Sequence, residues 1–369
     1  DPSAIRSIDS FQAKILGISQ ATKNLNQGQS FLTVAEDALK ETSNLLTKLS
    51  ELSIQASTES LMTSDRQTLS NEFAGILGQI ENIALTTAYG ANRLLNGGVQ
   101  GKLFQIGPSS NDMISITIGS SNPSDIGAFR SIGPTRAALA ATSSPSVNST
   151  TNSEDIIVTA NGSITTIDIS AEDSALDAAA KLNAVKSLTG VSAEAVTYAE
   201  LFSTNGSSET YTIKINGYAT SSFTISSSNV SDAVSKINLI SSSTGVSAVA
   251  TTTNRVLLED VTGEDITIEN EAAGTNLDVQ AIRADAMTAQ GSEINLDNGT
   301  ASANDSTRVI GTVTFSSHEG FSLSQSGNAL LGYASSGVAT FSPLDESSIA
   351  TSNLARSAVE TVSRAIDQV

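Results

Sequence analysis

The 369-residue sequence contains no cysteine, no tryptophan and a single histidine, and its aromatic content is only 4%. Without cysteine a disulfide framework and a thiolate metal site are both excluded. One histidine, His318, cannot complete a zinc site, and no His-Glu-x-x-His pattern is present. No acid, base and nucleophile can be assembled around it, so an enzyme is the least favoured reading and His318 reads as a surface turn residue. Positive charge is also scarce: 19 Lys and Arg face 38 Asp and Glu, a net charge of -19. Such a surface repels phosphate, which makes nucleic acid and anionic membranes poor partners. No apolar run is long enough to span a bilayer. Charged residues are only 15% of the chain, while Ser, Thr, Ala and Gly abound. That balance builds thin, β-rich modules with small side chains more readily than a deep catalytic pocket, and no cofactor or metal is expected. The length suits two or three domains.

What is present is organised around residues 1–57. Ile5, Ile8, Phe11, Ile15, Ile18, Leu25, Leu32, Ala35, Leu39, Leu45, Leu49 and Leu52 recur every three or four positions, and no proline interrupts after Pro2. The period predicts one amphipathic helix of roughly 80 Å. Asp1 is placed to cap it, Pro2 suits the first helical position, and Glu36–Lys40 is a favourable i,i+4 pair. Gly17 and Gly28 are its weak points, and a break near Gly28 is the alternative.

A second helix is expected from Ser64, with Ser64-x-x-Gln67 in the form of a capping box, through about Leu85. Residues 103–106 and 114–118 read as a β-hairpin. From 137 to 152 the composition shifts to Ala, Ser, Thr, Pro and Asn and reads as a linker. An internal repeat follows. Lys181-Leu182-Asn183 and Thr189-Gly190-Val191-Ser192-Ala193 recur 55 residues later as Lys236-Ile237-Asn238 and Thr244-Gly245-Val246-Ser247-Ala248. Each copy has a strand, a short helix and a strand, which suggests duplication. Strands are expected again at 256–258, 266–268, 309–315 and 321–323. A last helix begins around 345–348, with Ala355, Ala358, Val359, Val362, Ile366 and Val369 on one stripe.

The fold expected is α+β. Both chain ends (1–136 and 341–369) form a long-helix rod of three bundled helices plus a β-hairpin. Residue 137–152 is the linker, 153–270 the outer domain with tandem strand-helix-strand repeats, and 271–340 the β-rich remainder of the outer part. The expected rod core is Ile18, Leu25, Leu45, Leu49, Phe73, Leu77, Ile80, Val359, Val362 and Ile366. Asp260, Glu264 and Asp265 cluster in a Gly-containing loop, but their spacing fits no EF-hand. Asn-x-Ser/Thr sequons at Asn148, Asn161, Asn205, Asn229, Asn298 and Asn304 are ordinary products of an Asn- and Ser-rich surface.

Asp1-Pro2-Ser3-Ala4, Gln20-Ala21-Thr22-Lys23-Asn24-Leu25-Asn26-Gln27-Gly28, Ala35-Glu36-Asp37-Ala38-Leu39, Glu51-Leu52-Ser53-Ile54-Gln55-Ala56, Tyr89-Gly90-Ala91-Asn92-Arg93-Leu94-Leu95-Asn96-Gly97 and Phe104-Gln105-Ile106-Gly107 together resemble bacterial flagellin. The resemblance covers about residues 1–130 and, more weakly, 345–369. It implies a helical rod carrying variable outer domains, export through the flagellar type III channel, and polymerisation with other flagellin subunits into the extracellular filament that drives swimming. It also implies an export chaperone and cap and junction proteins as partners. By the same resemblance the chain, which begins with Asp, is expected to be a fragment lacking both terminal coiled-coil segments, and hence a monomer. If the second and last helices run antiparallel to the first, each covers roughly 35 Å of it, and Ile5, Ile8, Phe11 and Ile15 are left without an intrachain partner.

Some flagellins are recognised by a vertebrate innate receptor, and the matching motifs place that patch at Lys48, Leu52, Gln55 and Glu72. The first is Lys where the family pattern has Arg, which loses the bidentate fork. The rival readings are a hook-filament junction protein and a glycan-binding adhesin acting through the repeats. The lack of tryptophan weakens the adhesin.

Overall fold

The computed structural model describes residues 2–58, 61–152, 154–204, 208–272, 275–297, 304–326 and 332–369. Asp1, Asn205 and Asn298 lie outside them, so the cap expected at Asp1 and two of the sequons do as well. The molecule is α+β. Seven helices occur among the described residues: α1 (Pro2–Ala56), α2 (Thr63–Thr86), α3 (Ala175–Ala184), α4 (Lys186–Thr189), α5 (Ser231–Asn238), α6 (Ser241–Thr244) and α7 (Ser352–Gln368). By contacts the chain divides into one unit of Asp1–Ala128 with Ser342–Val369, and a second of Phe129–Phe341.

In the first unit α1 is continuous for 55 residues, as its period requires. Both suspect glycines lie inside it. A Cβ at Gly17 would stand 3.1 Å from Pro108 Cβ, and one at Gly28 would stand 3.4 Å from the Phe104 ring. The glycines are therefore where a β-hairpin lies close against the helix. That hairpin pairs Lys102–Gln105 with Met113–Ile116, and Asn24 Nδ2 donates to Gln105 O at 3.0 Å. Farther along α1, Leu46, Leu49, Leu52 and Ala56 pack with Phe73, Ile76 and Ile80 of α2 and with Ala355, Ala358, Val362 and Ala365 of α7. Alanine on α7 lets helix axes approach closely, which is why a helix this poor in large side chains still buries its face. A second cluster joins Phe31 and Ala35 to Leu94, Leu95, Val99 and Ile118.

Two expected helix starts are corrected. Ser64 caps nothing: α2 begins at Thr63 behind Met62, which makes no side-chain cap bond, and Gln67 bonds to Asn71 at 3.1 Å. The last helix starts later, at Ser352, because the Thr351 hydroxyl accepts from Leu354 N at 3.2 Å and Leu344–Glu346 forms a separate 3-10 turn. The turn between α1 and α2 is held by Arg66, whose guanidinium donates to the carbonyls of Ala56 and Thr58. It satisfies the Ala56 carbonyl, which the end of α1 leaves without a helical partner.

The second unit is built from antiparallel sheets around two large cores and one smaller buried cluster. Ser192–Phe202 is its central strand, pairing with Val256–Asp260, Asn276–Ile282 and Thr312–Ser317. The repeat appears as two copies of one motif. Each opens with a hairpin turned at Asn-Gly with positive φ, Asn161 (53°) and Gly162 (73°) in one, Asn216 (49°) and Gly217 (81°) in the other. These are the values of the turn that matches strand twist. Each then runs through a helix, a short helical turn and a left-handed glycine, Gly190 or Gly245, into a strand. In the first copy Asn183 Nδ2 donates to Ala193 O at 2.8 Å and Asn183 Oδ1 accepts from Ala193 N at 2.9 Å. In the second, Asn238 makes the same pair with Ala248, at 2.9 and 2.8 Å. One carboxamide thus clamps helix to strand in each copy.

Residues 137–152 have a linker's composition but are fastened along their length. Leu139 N donates to Arg308 O at 2.9 Å, Thr142 and Ser306 exchange backbone bonds at 2.9 Å, and Asn148 Nδ2 donates to Asp265 at 2.9 Å. Just before this stretch, Arg136 pairs with Glu154 at 2.8 Å with both side chains almost fully buried, and its guanidinium lies 5.0 Å from the Tyr333 ring centroid. Burial pushes the Tyr333 hydroxyl up to about 12. Burial also raises Asp265, although Arg308 at 2.9 Å and Asn148 oppose the shift.

Candidate functional site

The first half of α1 is unusual for an amphipathic helix because its apolar stripe faces solvent. Ile5, Ile8, Phe11 (64% exposed), Ile15 (63%), Leu16, Ile18 and Leu25 are all exposed. The bare stripe at Ile5 to Ile15 was expected from the helix lengths. Ile18 and Leu25 were expected in the core and are not. At 24 and 17 residues, α2 and α7 extend only about 36 and 26 Å, and their shared core with α1 lies at its C-terminal part. On the bare half the hairpin covers the side bearing Ala21, which is buried. Of the other expected core residues, Leu49, Phe73, Ile80 and Val362 are buried, and Leu45, Leu77 and Ile366 pack partly buried against the same cluster. Val359 is half-buried at the side of α7. An exposed apolar strip of this length is characteristic of interaction surfaces.

The stripe runs into an open groove of about 630 Å³ lined by Leu32, Ala35, Leu39, Ile118 and Val369. The Glu36–Lys40 pair, 2.9 Å apart, stands at its edge. That pair is solvent-exposed, and the contact lowers the pKa of the Glu36 carboxyl and raises that of the Lys40 ammonium.

The structure brings together Lys48 and Glu72, whose charged groups are 3.1 Å apart with both side chains about half exposed. Gln55 is exposed nearby in sequence on the same helix, whereas Leu52 is buried in the core. Elsewhere, two carboxylates of the acidic loop have partners within the chain. Asp260 is buried and accepts from Thr262 N and Oγ1, and Asp265 is held by Arg308 and Asn148. Among the described residues no three His, Cys, Asp or Glu side chains converge. His318 sits half-buried at a turn, with Nε2 3.9 Å from the Glu319 carboxylate.

Two family models match the chain: the bacterial flagellin N-terminal helical region over residues 1–100, and the flagellin hook IN motif over residues 147–205. Over these two regions the chain is similar to bacterial flagellins. The expectation of a fragment without terminal coiled-coil segments is not supported, since the family's N-terminal region matches from residue 1. The hook IN motif coincides with the first copy of the duplicated module. Flagellin B of Vibrio cholerae is 38% identical over 104 residues, which cover 28% of this chain and 28% of that protein. Flagellin A of Helicobacter felis is 27% identical over 283 residues, covering 76% of this chain and 54% of that protein. The chain thus spans about half or less of these relatives. A structure of FliC from Burkholderia pseudomallei matches at 24% identity and a TM-score of 0.29, over 41% of this chain and 63% of that one, a superposition too loose to inform the fold.

Proposed function

We propose that this chain is a structural, non-enzymatic subunit of the bacterial flagellar filament, working outside the cell as part of the propeller for swimming. The observation that carries the reading is the bare apolar stripe from Ile5 to Leu25 on a continuous helix. Such a strip costs free energy in water and gains it against a neighbouring subunit. In this reading residues 1–136 and 341–369 form the rod domain of three helices and a hairpin. Residues 153–340 form the outer part, where an acidic, Ser- and Thr-rich surface faces solvent.

Electron microscopy of the purified chain incubated with filament seeds tests the proposal. Long filaments are expected, and Phe11→Asp with Ile15→Asp should abolish them while circular dichroism stays unchanged, because both residues are exposed. Unimpaired filaments from that variant would sink the assignment of the stripe to assembly.

A narrower proposal concerns recognition by a vertebrate innate receptor through Lys48, Gln55 and Glu72, with Leu52 shaping the helix from inside. It is favoured by the position of Lys48 and Glu72 on one exposed surface. A reporter-cell assay that gives no response at saturating protein would end it.

A further inference from the structure

The sequence carries Asn-Gly pairs at 96–97, 161–162 and 216–217 among the described residues, and the structure treats them differently. Asn161 and Asn216 both have positive φ within tight hairpin turns. Asn216 is also held at both ends of its carboxamide, with Oδ1 accepting from Thr267 N at 2.8 Å and Nδ2 donating to Thr244 O at 3.0 Å. Asn96 is exposed, is not in the left-handed region, and lies in a loop without strand pairing. Its Oδ1 accepts a hydrogen bond from Gly98 N at 3.1 Å, which folds the carboxamide back over the Gly97 amide. Gly97 has no side chain to obstruct that approach.

We propose that Asn96–Gly97 is a site of spontaneous backbone isomerisation. Hydroxide removes the Gly97 amide proton, and the nitrogen attacks Cγ of Asn96. The Gly98 N–H polarises the Cγ carbonyl and supports the charge that develops on Oδ1. The C–N bond of the carboxamide breaks, its nitrogen takes a proton from water and leaves as ammonia, hydroxide is regenerated, and a five-membered succinimide remains. One water then opens the ring at either carbonyl. Opening at Cγ leaves aspartate, and opening at the backbone carbonyl leaves isoaspartate, in which the chain runs through the side-chain carbon. No other reactant is needed.

The surroundings make the product consequential. Leu95 and Val99 are buried against α1, and their carbonyls accept from Ser121 N and Ile118 N, each at 2.9 Å. Both flanks are thus fixed to the core, so the extra chain atom of isoaspartate and its new carboxylate must be accommodated in the few residues between them.

The experiment is peptide mapping with electron-transfer fragmentation, which separates aspartate from isoaspartate, on the folded full chain aged at mildly alkaline pH and 37 °C. A parallel sample is aged in concentrated urea. In the folded chain Asn96 should convert about tenfold or more faster than Asn161 and Asn216. In urea the three rates should converge, because the difference is imposed by the fold. Amide exchange at Ile118 and Ser121 should quicken as isoaspartate rises. Equal rates in the folded chain, or a difference that persists in urea, would overturn the proposal.

Discussion

The two units stabilise themselves by different means. In the first, a single helix far outruns the helices packed against it, so its C-terminal part is core and its N-terminal part remains bare. A helix gains most of its stability from the surface it packs against, so the same apolar period has two outcomes along one rod. The Phe129–Phe341 unit is assembled from short strands and helices that close their own cores, and its polar groups are paired inside: Arg136 with Glu154, Asn183 with Ala193, Asn238 with Ala248. One unit keeps an unmet apolar face, and the other pairs several of its buried polar groups within itself.

The contrast can be broken in order of expected effect. Arg136→Ala should cost about 3–5 kcal/mol in urea unfolding followed by circular dichroism, because it leaves the Glu154 carboxylate buried without its partner. A loss under about 1 kcal/mol would mean that water reaches Glu154. Within α1, Leu49→Ala should cost about 2–5 kcal/mol, whereas Ile18→Ala should stay within about 0.5 kcal/mol in dilute protein. Amide exchange should likewise be fast at residues 5–15 and slow at 45–56. Comparable losses at Leu49 and Ile18 would show that the first half of the helix has an intrachain partner.

Asn183→Ala and Asn238→Ala should each cost about 1–3 kcal/mol, since each orphans a buried-side amide and carbonyl. Matching losses would extend the duplication from geometry to energetics, and clearly unequal ones would confine it to geometry. Tyr333 offers a pH test. Its folded value of about 12 lies above the ordinary 10, so its contribution is complete below pH 10 and is lost as pH rises from 10 toward 12. Tyr333→Phe should flatten that part of the stability profile, and an unchanged slope would assign the alkaline loss to other groups. Smallest of all, Lys48→Ala should change stability by no more than about 1 kcal/mol, because its partner Glu72 is solvated.

Much of this was legible in residue order. The period of α1, the hairpin and the 55-residue offset of the modules are local patterns, and local hydrogen bonding realises them with little reference to the rest of the chain. The Asn-Gly turns carry the same offset at 161–162 and 216–217 and could have extended the repeat by a hairpin, a signal the reading passed over. Ser64-x-x-Gln67 had the form of a cap but lay just inside the helix, so its side chains found other partners.

The sequence by itself indicated the long helices and several of the strands, that the middle of the chain is duplicated, and that metal or thiol chemistry has few groups to draw on. Tertiary structure alone decided which part of the α1 stripe is core, since a stripe records that a face is apolar and not how far its partners reach. It also decided that Arg66 ends α1, that Arg136 finds Glu154, and that a stretch composed like a linker is fastened along its length. Those outcomes depend on groups that only folding brings within hydrogen-bond distance, and hydrogen bonds form over about 3 Å whatever the separation in sequence.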